Sequence, residues 1–547
     1  MAIGISEFSY LLFFLTVFIF SYAEIHFRIP GIFSRLFKKE PEIVFDLPFR
    51  GVIGNRIPFF LFIKDAHHFP AKLLDLQVMI APQNLQTSLS HTIKLNETVQ
   101  GKFFSKTIYL SPDFFPESGA YRVSAELNYQ INDKRLTLWQ DNYSGISHEP
   151  FTIYIAKSPL PDLPNLYWGD LHTHSNYTDD QIEFGAPIRE SVICAQTVGL
   201  QFLAITDHSY DLDDKTGSYL ENDPSLPKWQ QFKEEIKSLN HEFPAFHILG
   251  GEEVSAGNSK AQNVHCLVLG NRTFYPGSGD SGEKPLNNKP TMSLKSLYEK
   301  IEHSREDAII AAAHPFDEPP YAHQIALNRG YWHKADLSHP ALDYWQILNG
   351  RIDRFFENGR RSWIKALLNR QKVGILGGTD AHGNFNCFRQ ITIPFWKMIR
   401  CREQLFGEMR TGIFSETALN PQTLLQTLKE KRTIISTGPA ASLEIFQNDR
   451  LFHIGNSIKT GTAVSIEISA VSNSEFGSLK SVVLYTGVFS QSKEISLNIS
   501  LPENCFRFKK KIDLTDGTSP GYLRLEVYSE KTGKSYLCFT NPIWIEE

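Results

Sequence analysis

Three zones of hydrophobic patterning succeed one another along the chain. Over residues 40–157, short apolar runs such as PFFLFIKD, LQVMIAP, KTIYL, YRVSAELNY and FTIYIA alternate with turn residues. That spacing predicts an all-β, sandwich-like domain. Ser158-Pro-Leu-Pro-Asp-Leu-Pro164 follows, a stiff Pro-rich joint that marks a boundary. Over residues 165–439 the runs FLAITD, HILGGEEV, HCLVLG, AIIAAAHP, YWQILNG and VGILGGTD alternate with helical stretches, among them 187–199, 227–243, 293–304, 360–370 and 421–431. Such alternation predicts an α/β domain of βα units around a parallel sheet or barrel. Over residues 440–547 the pattern returns to alternating strands, from AVSIEISAV to SYLCFTNPIWI, and predicts a second, smaller sandwich.

Residues 1–39 read differently. Phe8–Ala23 is an apolar run, short for a membrane span and of the size of a signal-peptide core. Ser21-Tyr22-Ala23 would serve as a cleavage site. Glu7 precedes the run, and Arg28, Arg35, Lys38 and Lys39 follow it. The trailing basic residues favour an N-terminal apolar helix anchored in a membrane. Cleavage after export is the alternative, and a buried helix a third.

Composition narrows the class. Apolar residues make up 41% and charged residues 21% of 547, which excludes a largely disordered or collagen-like chain. A net charge of −5 lends no electrostatic support to nucleic-acid binding. Six cysteines without a CxxC pair argue against a cysteine zinc site or a disulfide scaffold, although export would permit a Cys505–Cys538 bridge.

The chemistry-bearing residues concentrate in the middle zone. Asp170-Leu-His-Thr-His174 places His172 and His174 at i and i+2, on one side of a strand. Asp179 and Asp180 follow. LAITDHS ends a strand with Asp207-His208, GGEEVS offers Glu252 and Glu253, VHCLVLG opens with His265, AAAHPF ends with His314, and GGTDAHG offers Asp380 and His382. A single histidine after a strand is more often an ordinary core or surface residue. Six segments of this form in one zone are hard to assemble by chance. Imidazole and carboxylate donors suit Zn²⁺, Mn²⁺ and Fe²⁺. Nine first-choice ligands exceed one tetrahedral ion, so two or three divalent ions are expected. Arg351 and Arg354, after the strand YWQIL, could contact a substrate anion or pair with Asp353 and Glu357 on the surface. His323, His333 and His339 read as ordinary loop histidines with a lid as the alternative. No G-x-S-x-G elbow or other protein nucleophile is present.

DLHTHS, ITDHS, GGEEVS, VHCLVLG, AAHPF and GGTDAHG, in this order, resemble the motifs of the PHP (polymerase and histidinol phosphatase) superfamily of metal-dependent hydrolases. LYWGDLHTHS, RTIISTGP and TNPIWI resemble its large, carbaryl-hydrolase-like branch. The resemblance covers roughly Leu166–Pro439. It implies a distorted seven-stranded βα barrel with metals at the C-terminal strand ends. His172, His174, Glu253 and Asp380 would hold a first ion. Glu253 would bridge to a second, completed by His265 and His314. Asp179, His208 and His382 would hold a third. The first loop departs from the family form in lacking a glycine near Asp179 and Asp180. Asp170 and Asp207 fit a role in orienting ligating imidazoles.

The resulting expectation is a phosphoesterase in which a metal-bound water attacks a small-molecule ester. Hydrolysis of a carboxylic or carbamate ester at the same site is the alternative. A membrane-anchored, non-catalytic binding scaffold is the third reading.

Overall fold

The computed structural model describes residues 40–547 apart from 85–87, 179–184, 217, 219, 220, 282–287, 394–396, 462, 490 and 515–517. The apolar run at Phe8–Ala23 and its expected helix lie outside the described residues. Among the described residues no helix is long and apolar enough to cross a membrane. The longest is Pro227–Glu242, 16 residues rich in Lys, Gln and Glu. The membrane-anchored localisation is therefore withdrawn.

The N-terminal strands form two sheets. Glu42–Asp46, Ile57–Lys64 and Phe103–Leu110 make an antiparallel three-stranded sheet. Six strands, with Ala71–Pro82 and Gly119–Ile131 at the centre, make the other. The inward positions of both supply one core, including Phe45 stacked on Phe59 with ring centroids 5.3 Å apart. Ala71–Pro82 alternates inward apolar with outward positions, whereas Glu42–Asp46 and Ile57–Lys64 are buried throughout.

The middle zone builds a long sheet from β1 (Leu166–Thr173), β2 (Phe202–Ile205), β3 (His247–Gly257), β4 (Asn263–Leu269), β5 (Ile309–Ala312), β6 (Tyr344–Asn349), β7 (Gly374–Gly378), β8 (Arg410–Phe414) and β9 (Thr433–Ser436). Its order is β7-β6-β5-β4-β3-β2-β1-β8-β9, and it continues through β10 (Lys534–Thr540) into the C-terminal strands. Expected helices appear at Ile188–Val198, Pro227–Glu242, Leu294–Ser304, Arg354–Leu368 and Pro421–Lys429. The fourth starts earlier than its apolar spacing suggests because the Asp353 carboxylate accepts hydrogen bonds from the amides of Phe355 (2.8 Å) and Phe356 (3.2 Å).

Two features correct the expected α/β barrel. The chain is mostly β, with 44% strand against 16% helix. The sheet is also open, with no closed barrel among the described residues. β4 runs antiparallel to both neighbours. The link from β3 to β4 is only residues 258–262, too short for a parallel crossover. Asn258 tightens it, its side-chain oxygen accepting from the amides of Lys260 (2.8 Å) and Gln262 (3.0 Å).

Closure between β1 and β7 is prevented by what occupies their edges. β8 pairs antiparallel with the free edge of β1. On β7, backbone groups are met by side chains instead of a neighbouring ladder. The Thr411 hydroxyl donates to the Gly377 carbonyl (2.7 Å) and accepts from its amide (2.9 Å), while Asn541 bonds both the amide (2.8 Å) and carbonyl (3.1 Å) of Ile375. The two strands still approach at their C-terminal ends, where Thr173 bridges Ala381.

The C-terminal strands pack on this sheet and share its largest core, in which Ile434, Leu443, Ile466 and Leu525 are all buried. Cys505 and Cys538 are free, so no bridge links them. A buried charge network ties the helix Arg354–Leu368 to the C-terminal region. Arg360 grips Glu526 with two hydrogen bonds, 2.8 and 2.9 Å, and Arg524 lies between Glu526 and Glu494. Burial opposes ionisation of Glu526, but the Arg524 and Arg360 guanidiniums outweigh it and hold the carboxyl below its usual range. The stabilisation is therefore present above the ordinary carboxylate pKa and fades as the pH falls below it. Glu526→Gln removes the charge shared by Arg360 and Arg524, leaving Arg524 paired with Glu494 alone, and is expected to destabilise the fold by about 1–3 kcal/mol, read from urea unfolding near neutral pH.

Candidate metal centre

The sheet gathers donors from segments far apart in sequence. β1 carries His172, and His174 follows at its end on the same side. The intervening Thr173 points away and donates to the Ala204 carbonyl (2.8 Å), fastening β1 to β2. Glu253 lies within β3, His265 in β4, His314 just after β5, and Asp380 and His382 just after β7. The β7 turn is clasped to β1 by two backbone bonds, Asp380 amide to His172 carbonyl (2.8 Å) and His174 amide to Ala381 carbonyl (2.9 Å). Asp380 itself has φ of 55°, a left-handed conformation that a carboxamide-sized side chain tolerates. Gly378 permits the close approach, since a Cβ there would fall 2.8 Å from the His172 Cβ.

Donor atoms crowd around Glu253. Its carboxylate lies 2.8 Å from His265 Nδ1, 3.0 Å from His208 Nδ1, 3.2 Å from His314 Nε2, 3.4 Å from His172 Nε2 and 3.5 Å from His174 Nε2. Asp380 Oδ1 sits 3.1 Å from His174 Nε2 and 3.3 Å from His172 Nε2, and those two nitrogens are 3.2 Å apart. Three groups have ligand-capable atoms mutually within 4.8 Å: His172, His174, Glu253 and Asp380; His208, Glu253 and His265; and His174, His208 and His382. The His382 ring stacks on that of His174 at 4.0 Å. Asp179 and Asp180 lie outside the described residues.

The tautomer of His172 follows from its neighbours. The His314 amide donates to Gln346 Oε1 (3.3 Å), and Gln346 Nε2 donates to Asn349 (3.0 Å), which identifies Oε1 as the acceptor. His172 Nδ1, 2.8 Å from that oxygen, is therefore the protonated nitrogen, and the Nε2 lone pair faces the cluster. Nε2 then meets another imidazole and two carboxylates, a crowd of acceptors that a cation reconciles. The donor set thus fits a metal.

The electrostatics agree with this. Burial disfavours a charged His172, but the carboxylates of Asp380 and Glu253 overcome it and push the ring up to about 9. Burial and the neighbouring His382 and His208 rings hold His174 well below the usual imidazole range. Despite burial, the surrounding imidazoles keep Glu253 and Asp380 far below ordinary carboxylates.

Asp170 and Asp207 act on backbone and loop instead of on ligating rings. Asp170 accepts from the amides of His172 (3.2 Å), Thr379 (3.1 Å) and Gly407 (3.1 Å), joining β1 to the β7 turn. Asp207 accepts from the amides of Ser175 (2.7 Å) and Thr178 (3.0 Å) and holds the loop after His174. Glu252 points away from the cluster, accepting from Ser209 (2.9 Å) and the Tyr275 amide (2.9 Å), and burial pushes it up to about 8. Gln346 is the orienting group that sequence reading passed over, although an amide in the middle of the buried strand YWQILN was its signal.

A cleft of about 360 Å³ opens onto the centre, lined by His265, His314, Asp380, His382, Arg329 and Arg351. Arg351 pairs with Asp353 (2.8 Å) at its rim. Arg354 is exposed, pairs with Glu318 (2.8 Å), and is not among the residues lining the cleft. His323 lines the cleft as well, whereas His333 caps the helix Lys334–Leu337 and His339 packs on Tyr298.

No family model and no curated protein matches this chain. Among solved structures, Bacteroides uniformis beta-glucuronidase 2 covalently bound to cyclophellitol-6-carboxylate aziridine is 12% identical over 95% of this chain and 63% of its own, with a TM-score of 0.19. Parabacteroides merdae beta-glucuronidase with glycerol in its active site is 9% identical over 93% of this chain and 64% of its own, with a TM-score of 0.18. A Paenibacillus cycloisomaltooligosaccharide glucanotransferase complexed with cycloisomaltoheptaose is 10% identical over 92% and 70%, also at 0.18. This chain thus spans less than two thirds of either glucuronidase. At such scores the superposition assigns neither fold nor chemistry. No family model places the chain in the PHP superfamily or its carbaryl-hydrolase-like branch, and that membership is withdrawn. The PHP-type phosphoesterase, the ester-hydrolase alternative and the scaffold reading are withdrawn with it.

Gly378→Ala would force β7 away from His172. It is expected to cost about 1–3 kcal/mol and to lower the thermal unfolding midpoint.

Proposed function

We propose that this chain is a metal-binding protein whose buried histidine and carboxylate cluster holds two or three divalent ions, Zn²⁺, Mn²⁺ or Fe²⁺, at the base of the cleft. The observation that carries the reading is the convergence of His172 Nε2, His174 Nε2 and Asp380 Oδ1 within 3.3 Å of one another, with the Glu253 carboxylate alongside. Two imidazole nitrogens and two carboxylates in this arrangement make a coherent ligand set. Glu253 faces five imidazoles and is suited to bridge a second ion held by His208, His265 and His314. His174, His208 and His382 offer a third group.

A divalent ion held there supplies Lewis acidity, which can make a neighbouring water a nucleophile near neutral pH. The residues of the chain do the rest. Gln346 holds the His172 ring, and Asp380 and His314 line the cleft that opens onto the centre.

Elemental analysis of the purified full-length chain tests it. Two or three ions per chain are expected, with the count falling in His172→Ala combined with Asp380→Ala and falling further in Glu253→Gln. A wild-type chain free of metal after reconstitution with Zn²⁺ or Mn²⁺ would overturn the proposal. The ligating imidazoles must be unprotonated, and His172 without a cation is pushed up to about 9. Protons therefore compete with the ion, so affinity measured by chelator competition is expected to rise steadily between about pH 6 and about pH 8.

A further inference from the structure

Asp280 lies outside every motif found in the sequence, yet it is buried against the candidate metal centre. It arrives on the loop Tyr275-Pro-Gly-Ser-Gly-Asp280. The two glycines let that loop lie flat on β3 and β4. A Cβ on Gly277 would fall 2.5 Å from the Ser255 carbonyl oxygen, and one on Gly279, at φ 142°, would fall 2.4 Å from the Asn263 side chain. Ser255 and His265 are directly opposed in the β3–β4 ladder, so a carboxylate set over that pair meets both. Asp280 Oδ1 accepts from the Ser255 hydroxyl, and the Arg329 guanidinium forms an ion pair with Oδ2. Oδ2 also lies 3.0 Å from His265 Nε2.

The Arg329 guanidinium beside Oδ2 and the Ser255 hydroxyl on Oδ1 set Asp280 as the carboxylate partner of the His265 ring. An ionised carboxylate only accepts. His265 Nε2 donates to Asp280, and Nδ1 is the nitrogen left to face Glu253, where a bound ion would stand in place of a proton. That nitrogen is 2.8 Å from Glu253 Oε1, at the centre of the cluster. His172 and His174, by contrast, present Nε2.

We infer that Asp280 is a positioning residue for the metal centre, locking His265 in the tautomer that offers Nδ1 to an ion shared with Glu253. The inference rests on the metal reading above and adds to it a residue, a tautomer and a ligating atom. Ser255 and Arg329 serve as braces that keep the carboxylate in place. Outer partners of this kind usually set ligand affinity by 10–100-fold.

The test uses the full-length chain loaded with Zn²⁺, with ion count by elemental analysis and affinity by chelator competition. Asp280→Ala is expected to lose one ion or bind it about 10–100-fold more weakly, as His265→Ala does. The double variant should be no worse than His265→Ala alone. Arg329→Gln leaves the Asp280–His265 bond in place and should change affinity less than Asp280→Ala. In the Co²⁺-loaded chain, Asp280→Glu should restore the visible absorption that Asp280→Ala loses. If Asp280→Ala does not fold, ¹⁵N-histidine spectra of the Zn²⁺-loaded wild type decide the matter: a protonated Nε2 on His265 supports the inference, and a zinc-bound Nε2 overturns it. Equal ion count and affinity in folded Asp280→Ala and wild type would overturn the role of Asp280 alone. A wild type that takes up no ion would overturn the metal reading and this inference together.

Discussion

The structure around the cleft depends on one buried carboxylate. Glu253 is almost wholly buried and faces five imidazoles, from strands and turns spread between His172 and His314. An ionised group in such a place is costly unless it is paired. The same holds for the surrounding rings, which have given up water without gaining a full set of complementary donors and acceptors. A cation shared among them resolves both demands. This is why the cluster reads as a ligand set and not as a chance meeting of polar residues.

The sheet is arranged around that requirement. β7 and β1 come close enough for the Asp380 amide to bond the His172 carbonyl, yet no ladder closes between them. β8 occupies the edge of β1, and Thr411 and Asn541 satisfy the outer edge of β7. Asn541 belongs to the C-terminal region, and Asp46 of the N-terminal strands accepts from the Phe385 amide (3.2 Å) in the loop after His382. The two β-rich flanks therefore touch the segments that carry the ligands.

Ligand atoms and their supports differ in how they can be read. His172, His174, His208, Glu253, His265, His314, Asp380 and His382 were all visible as polar residues beside apolar strands, because strand periodicity determines which side chains share a face. Their partners were less visible. Asp170 and Asp207 are adjacent to ligands in sequence, but they bind backbone amides. Gln346 and Asp280 orient rings from 174 and 15 residues away. Sequence distance carries no information about such contacts.

Hydrophobic alternation by itself determined the order of strand-rich, mixed and strand-rich zones, the main helices and the candidate ligands, because side-chain periodicity is a local property. It did not determine that the sheet stays open, that β4 runs against its neighbours, or that Arg354 pairs with Glu318 and is not among the cleft-lining residues. Those depend on edge pairing, on a five-residue link and on ion pairs such as Arg354–Glu318, and so on which distant groups fold into reach. The tertiary structure likewise decided which nitrogen each ring presents, since a tautomer is set by the acceptor that folding brings to the opposite side of the ring.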